Sequence, residues 1–359
     1  MQVIIIGAGP TGLTAGVELA RRGVHVDIID IKKSGSTLSR AVGINPHSLK
    51  ILETSGVTEK LLAAGIAYHE AHFYQQAKPW VVLKLDAASP VKYGYNFMLG
   101  LPQDQTEAIL RETFESLGGR IHYDTALESL VDDGARVTVT TTKGTKFQGD
   151  YALGADGAHS LTRDLIGIES KGIELPEVWS IADVDANADA KQLSQTSVSL
   201  YMLKRGEMVF VAPIGPARFR LVSNTKSVLK SLPFELKLEK IRREADFKIK
   251  ISQVKSYQKG RVFLAGDAAH SHSPAGGRGM NLGMADAADF AEKLLADQLD
   301  KYTQSRYQEG KKIIAGSEML RKILTSNNPV KRVFALALLK SVASIPILKK
   351  KFASKFLYG

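Results

Sequence analysis

The chain has 359 residues, long enough for two sizeable cores, and its apolar (44%) and charged (24%) fractions are ordinary for a folded globular protein. It has no cysteine, which excludes structural disulfides, thiolate metal sites, a cysteine nucleophile and dithiol redox chemistry. The net charge of +11 is uneven: Lys331, Arg332, Lys340, Lys349, Lys350, Lys351 and Lys355 supply +7 of it, with no acid between Val330 and Gly359.

Val3 to Ile6 is a β-branched apolar run that suits a buried parallel strand. Pro10 to Arg22 follows as a helix stopped by Gly23, and Val24 to Asp30 as a second strand, completing a βαβ unit. Arg40 to Ile66 has a helical pattern, and Ala71 to Val91 turns to strand alternation. Pro102 to Leu117 is helical, Arg136 to Thr142 alternates, and Asp150 to Ala155 is a further strand. Gly172 to Gln258 alternates in several places and reads as a mixed sheet, with a charged helix expected near Pro233 to Ala245. Val262 to Ala265 is a buried strand, and the rest is helical. The expected fold is α/β: a discontinuous Rossmann-like nucleotide domain (1–70, 98–171, 258–330), an inserted mixed-sheet substrate domain (71–97, 172–257) and a basic helical C-terminal segment (331–359). With a strand starting at Val3 and no apolar run of 18 residues, neither a signal peptide nor a spanning helix is expected, and a cytoplasmic location is.

Three glycine-acid motifs punctuate this order. In Gly7-Ala8-Gly9-Pro10-Thr11-Gly12, the first glycine permits a tight turn, the second a close approach of backbone to a pyrophosphate, and the third helix–strand packing. The helix start then offers free N–H groups, and Asp30 ends the next strand where an acid accepts ribose hydroxyls. The second motif is Gly154-Ala155-Asp156-Gly157-Ala158-His159-Ser160. The third is Gly266-Asp267-Ala268-Ala269-His270, continuing through Pro274, Gly276, Gly277, Arg278, Gly279, Met280 and Asn281. Asp267 can accept a hydroxyl hydrogen bond from a ribityl chain. The N–H groups of the Gly276–Asn281 run can face the isoalloxazine carbonyls, where reduction places negative charge.

The motifs, in this order, resemble those of the single-component flavin aromatic hydroxylases, the p-hydroxybenzoate hydroxylase group, and within it the polyprenyl-methoxyphenol and aromatic polyketide hydroxylases. Leu38 to Gly43 matches the group's arginine segment with Arg40, and Leu101-Pro102-Gln103 its glutamine helix. Asp156, Gly157, Ser160 and Arg163 match its second motif, which serves flavin and nicotinamide alike, and Asp267, Pro274, Gly277, Gly279 and Asn281 its third. The resemblance implies FAD as cofactor, NADH or NADPH as co-substrate, and transfer of an oxygen atom from dioxygen, through a C4a-hydroperoxide, to a phenolic or polyketide-like ring. Baeyer–Villiger oxygenation, epoxidation and flavin-dependent dehydrogenation or reduction on the same fold are the alternatives.

Residue types single out no compelling catalytic base. His72, Tyr201, Arg220 and Pro274 are the weak catalytic candidates, and His72, Tyr74, Phe97, Met98, Tyr201, Phe210, Pro213, Arg220 and Val222 the candidates for substrate contact. His270 and His272 lack the acid cluster and spacing of a metal site, so no metal is expected. A nucleic-acid partner is not expected, since no basic stripe interleaves with aromatics. The basic tail is read as helices packed on the protein rather than resting on a membrane surface. A monomer or a homodimer fits equally.

Overall fold

The computed structural model describes residues 1–35, 41–186, 193–328, 341 and 344–358. A six-stranded sheet runs in the order β18 (Gln258–Lys259), β19 (Val262–Leu264), β12 (Tyr151–Gly154), β1 (Gln2–Ile6), β2 (His25–Ile29), β8 (Arg120–His122). β1 lies between parallel neighbours and its Val3, Ile4 and Ile5 are wholly buried. A central parallel strand is covered on both faces, which is why its sequence does not alternate. The helix after it, α1 (Pro10–Ala20), packs against α4 (Gln103–Ser116) and α6 (Gly279–Leu295).

The second large sheet has eight strands, in the order β20 (His270–Ser271), β17 (Leu238–Val254), β13 (Ser170–Ala186), β16 (Arg218–Ser223), β15 (Met208–Gly215), β14 (Val198–Met202), β5 (Glu70–Gln75), β6 (Lys78–Lys84). Its edge strand β20 belongs to the third glycine motif, so the two parts of the fold share backbone there. Two three-stranded sheets complete the strands: β3 (Gly43–Ile44), β7 (Met98–Gly100) and β4 (Ile66–Tyr68), and β9 (Leu127–Asp132), β10 (Val137–Thr141) and β11 (Lys146–Gly149). The remaining helices among the described residues are α2 (Pro46–Glu53), α3 (Val57–Ala64), α5 (Leu161–Leu165), α7 (Tyr302–Leu324) and α8 (Pro346–Tyr358).

Two expectations need correction. The charged stretch near Pro233 to Ala245 is not a helix. From Leu238 it is the start of the 17-residue strand β17, paired antiparallel with β13. Its charges are met across the ladder, as in Arg242–Asp185 and Lys248–Glu174, and this long pairing overrides a local pattern that reads equally well as a helix face. The stretch 40–66 is not continuously helical either: β3 precedes two helices separated by the left-handed Gly56.

Strand alternation sorts the large sheet into two faces. Tyr74, Tyr201, Val209, Val211, Phe219 and Leu221 share the outer face, covered by Leu229, Leu232 and Phe234. On the inner face, register aligns Ile181, Val222, Phe210, Leu200, Phe73 and Val81 in one row across six strands. The adjacent inner-face pair is Asp183 opposite Arg220.

Beside β19 a ring cluster packs Phe263, Phe290 and Tyr302, whose hydroxyl donates to the Leu264 carbonyl at 3.0 Å. Phe290 is fully buried. Phe290→Ala should therefore cost about 3–5 kcal/mol in chemical denaturation; a loss under ~1 kcal/mol would show that this cluster is not a rigid part of the core.

Candidate functional site

The first motif turns at Gly7, where φ is +110° and a Cβ would sit 2.4 Å from the Ala155 carbonyl of the second motif. A Cβ on Gly12 would sit 1.9 Å from the Gly7 carbonyl, whereas one on Gly9 would meet nothing within 4 Å. The chain is thus closed behind the turn and open in front of it. Gly9 caps α1 without a side-chain hydrogen bond and Pro10 occupies its first turn, so the helix start is left to a ligand. Thr11 faces the other way: its hydroxyl would clash with a Cβ on Gly266 or Gly283, which locks α1 onto the third motif. Asp30 is buried. One of its carboxylate oxygens accepts from Ala8 N (2.7 Å) and the other from Lys32 N (2.8 Å), which holds the turn and leaves lone pairs for a sugar hydroxyl.

In the second motif, one Asp156 oxygen accepts from both the N–H and the hydroxyl of Thr162, at 2.9 Å each. Its other oxygen is buried without a protein partner. Arg163 is buried and donates to the Ala158 and Ala268 carbonyls, tying the second motif to the third. Gly157 takes a left-handed φ of +84° with open space beside it. Gln103 accepts from Ala41 N and donates to Glu107, fixing the end of the arginine segment against α4. Arg40 itself lies outside the described residues.

Asp267 is exposed within a run, Val262 to His270, that is otherwise buried, so it points out of the core beside the motif. Pro274 and Gly277 are exposed as well, joined in a turn by Gly277 N donating to the Pro274 carbonyl. Gly276 and Gly277 both have positive φ, and α6 starts at Gly279, next to half-buried Met280, with no side-chain cap. Asn281 is a clamp: its amide donates to the Gly43 and Gly277 carbonyls and its oxygen accepts from Asn45 N and the Ser48 hydroxyl. Uncapped helix starts, open glycines and an unpaired buried carboxylate oxygen form a set of donors and acceptors that fits a dinucleotide with a flavin ring.

Two groups here carry no signal in the motifs. Asp286 on α6 is wholly buried; its oxygens accept from Gly266 N (2.9 Å), His270 Nε2 (2.6 Å) and Arg306 Nε (2.6 Å). Burial opposes its ionisation, but His270 and Arg306 outweigh that and hold its pKa below the ordinary carboxylate value. Its sequence signal is weak, since α6 carries Asp289 and Glu292 as well. The second group is Trp179, buried on the inner face of the large sheet with no protein acceptor for its indole N–H.

The catalytic candidates separate. Arg220 is buried on the inner face, in a two-pronged ion pair with Asp183 (2.6 and 2.7 Å), and donates to the Ala41 carbonyl at 3.0 Å. Pro274 is in the glycine loop. His72 and Tyr201 lie on the outer face: His72 pairs with Glu70 at 2.9 Å, and Tyr201 stacks on Tyr74 with centroids 4.4 Å apart. Burial raises the Tyr201 pKa, keeping it a neutral phenol. Of the substrate candidates, Phe210 and Val222 stand half-buried in the inner-face row, Met98 packs beneath it with Val42 and Tyr68, and the Pro213 carbonyl accepts from the Tyr68 hydroxyl. Phe97 stacks at a tilt with His69.

A family profile described as an FAD binding domain matches residues 1–228 and 223–317. The chain belongs to this FAD-binding family of aromatic monooxygenases. It is 30% identical over its whole length to 6-methylpretetramide 4-monooxygenase of Streptomyces rimosus, spanning 68% of that protein. It is 28% identical over 90% of its length to pentachlorophenol 4-monooxygenase of Sphingobium chlorophenolicum, spanning 64% of it. The crystal structure of p-nitrophenol 4-monooxygenase PnpA from Pseudomonas putida DLL-E4 shares the fold with a TM-score of 0.90 at 20% identity, covering 99% of this chain and 96% of that one. The chain thus spans about two thirds of the length of the curated relatives it matches.

Asp286→Ala leaves Gly266 N unpaired and Arg306 buried without its partner. It should cost about 3–5 kcal/mol of stability and much of the bound flavin; unchanged melting and flavin content would refute the clamp. His272 offers a test by pH. Its Nδ1 bonds the Ser273 carbonyl at 2.8 Å, its buried Nε2 has no protein partner, and burial pulls its pKa from 6.5 down to about 4. The unfolded chain therefore binds a proton there before the folded one does, and stability falls as pH drops from 6.5 through 4. In denaturation measured across that window, His272→Gln should flatten the slope by up to about 1.4 kcal/mol per pH unit; parallel curves would remove His272 from the account.

Proposed function

We propose that this protein is an FAD-dependent monooxygenase that uses NAD(P)H and dioxygen to hydroxylate an aromatic, phenolic or polyketide-like substrate. The observation that carries this reading is the inner-face row. Leu200, Phe210 and Val222 are half-buried although they stand on central strands, while their outer-face neighbours Val209, Val211, Phe219 and Leu221 are fully buried. These apolar side chains, open on that one face, would border the substrate on the side of the 41–45 segment, to which Arg220 fastens the sheet. A flat apolar floor suits an aromatic ring.

When bound, FAD supplies the activation of dioxygen; the chain supplies place and shelter. Gly7, Gly9, Pro10 and Gly12 would receive the pyrophosphate at the start of α1, with Asp30 on the ribose and Arg40 on a phosphate. The unpaired Asp156 oxygen and exposed Asp267 would accept ligand hydroxyls. Pro274, Gly277, Gly279 and Met280 would border the flavin ring with their backbone. The Phe73–Val222 floor keeps water from the reacting face, and exclusion of water determines whether oxygen reaches the substrate or is lost as hydrogen peroxide. Arg220 acts here as a positioning residue, since Asp183 and Ala41 hold its guanidinium. The buried Trp179 N–H, without a protein acceptor, would be free to donate to an oxygen on the substrate.

The reading is tested by supplying NAD(P)H, labelled dioxygen and a panel of phenols. The expected result is substrate-stimulated NAD(P)H oxidation with one labelled oxygen in the product; flavin reduction without oxygenation of any ring would overturn hydroxylation. Asp267→Ala should lower FAD occupancy, and full occupancy would count against its role. Phe210→Ala should raise KM on the order of tenfold and shift reducing equivalents to hydrogen peroxide; unchanged KM and coupling would take Phe210 out of the substrate site.

A further inference from the structure

The inner-face row has different neighbours on its two sides. On β13, Asp183 and Trp179 share the face of Ile181, two residues to either side of it and about 13 Å apart. The Asp183 side is charged and closed, because Arg220 is paired there and fastened to the Ala41 carbonyl. The Trp179 side is apolar. Trp179 is buried with Met208 and Ile249, and Leu200, Phe210 and Val222 of the row pack against the same cluster. Within it the indole N–H is the exception, a buried donor with no acceptor among the described residues.

The helix α7 reaches this side from the glycine loop. A Cβ on Gly276 would lie 3.8 Å from Leu320 Cδ2, and Leu324, one turn on, joins the Trp179 cluster. The step between the two leucines is about 6 Å along the helix axis. Both stand half-buried on one stripe of α7. The end of the helix is pinned in place. Buried Arg321 pairs with Glu318 at 3.0 Å and with Glu177 of β13 at 3.5 Å, and the Thr325 carbonyl lies 2.5 Å from where a Cβ on Gly206 would be. Leu324 is therefore carried by rigid backbone to the side of the row where an unfilled donor waits. An apolar stop beside one such donor fits a flat ligand whose far end is apolar apart from a single acceptor oxygen.

We propose that Leu324 and Trp179 determine substrate specificity: Leu324 sets how far a ring system extends across the row away from Arg220, and Trp179 donates to an oxygen at that end. The assignment rests on the reading of the row as the substrate floor. The class it selects is an aromatic hydroxy compound of at least two fused rings, with a carbonyl or ether oxygen on the ring remote from the one that reacts. A single phenol ring beside the glycine loop leaves the Trp179 donor unfilled, which is costly in a dry site.

The test is titration of the full-length, FAD-loaded protein with phenol, 2-naphthol and 6-acetyl-2-naphthol, followed by the flavin absorbance in the absence of NAD(P)H. The acetyl compound should bind most tightly. Trp179→Phe should weaken it about tenfold more than it weakens 2-naphthol. Leu324→Phe should weaken both naphthols relative to phenol by about tenfold or more, and Leu324→Ala should move that preference the opposite way. Each ratio compares two ligands in one protein, so a partial loss of folded protein cancels. Ratios unchanged in all three variants, or no binding of any of the compounds, would overturn the assignment. The same compounds are then supplied with NAD(P)H and labelled dioxygen. Shifted ratios without labelled oxygen in any product would uphold the roles of Leu324 and Trp179 and overturn hydroxylation.

Discussion

The organisation of the site depends on one buried carboxylate. Asp286 accepts from Gly266 N, His270 and Arg306, and these groups come from the start of the third motif, the strand β20 and the helix α7. A charge in a dry interior is costly unless its oxygens are filled. Here each is filled by a group of a different segment, so the charge survives only when all the segments are in place. Because β20 is also the edge strand of the large sheet, the same contact ties the six-stranded part of the fold to the large sheet.

A second seam works through backbone. Arg220 reaches the Ala41 carbonyl, and Asn281 binds Gly43, Asn45 and Gly277. Contacts to main chain fix the distance between sheet and loop whatever side chains the 41–45 segment carries. The docked α8 is held to the glycine loop by Arg278 and to the 95 segment by Tyr358. Arg278 in the glycine loop thus has a use in this chain: an arginine is long enough to hold the terminal helix.

Local pattern reveals the parts of this fold whose environment is uniform. β1 is buried on both faces and reads as an unbroken apolar run; α1 and α4 read as helices from their spacing and glycine stops. It fails where the environment is mixed. β17 is mostly solvent-facing at its start, so its charges follow no strand alternation, and only the 17-residue partner β13 makes it a strand. Alternation also identifies two faces without saying which one turns inward, so His72 and Tyr201 ranked equally with Arg220 although the sheet separates them. Asp286, Arg306 and Trp179 have no motif at all, because their significance is the company they keep after folding.

The three glycine motifs were determined by sequence alone, because a left-handed turn, a close backbone approach and an uncapped helix start are properties of a few consecutive residues. So were the absence of thiol chemistry and the accumulation of positive charge after Val330. Only the tertiary structure decided which strands stand side by side, and hence that Phe73, Ile181, Leu200, Phe210 and Val222 share one floor. The physical reason is that cross-strand register is set by long-range pairing and burial of one face, quantities that no window along the chain contains.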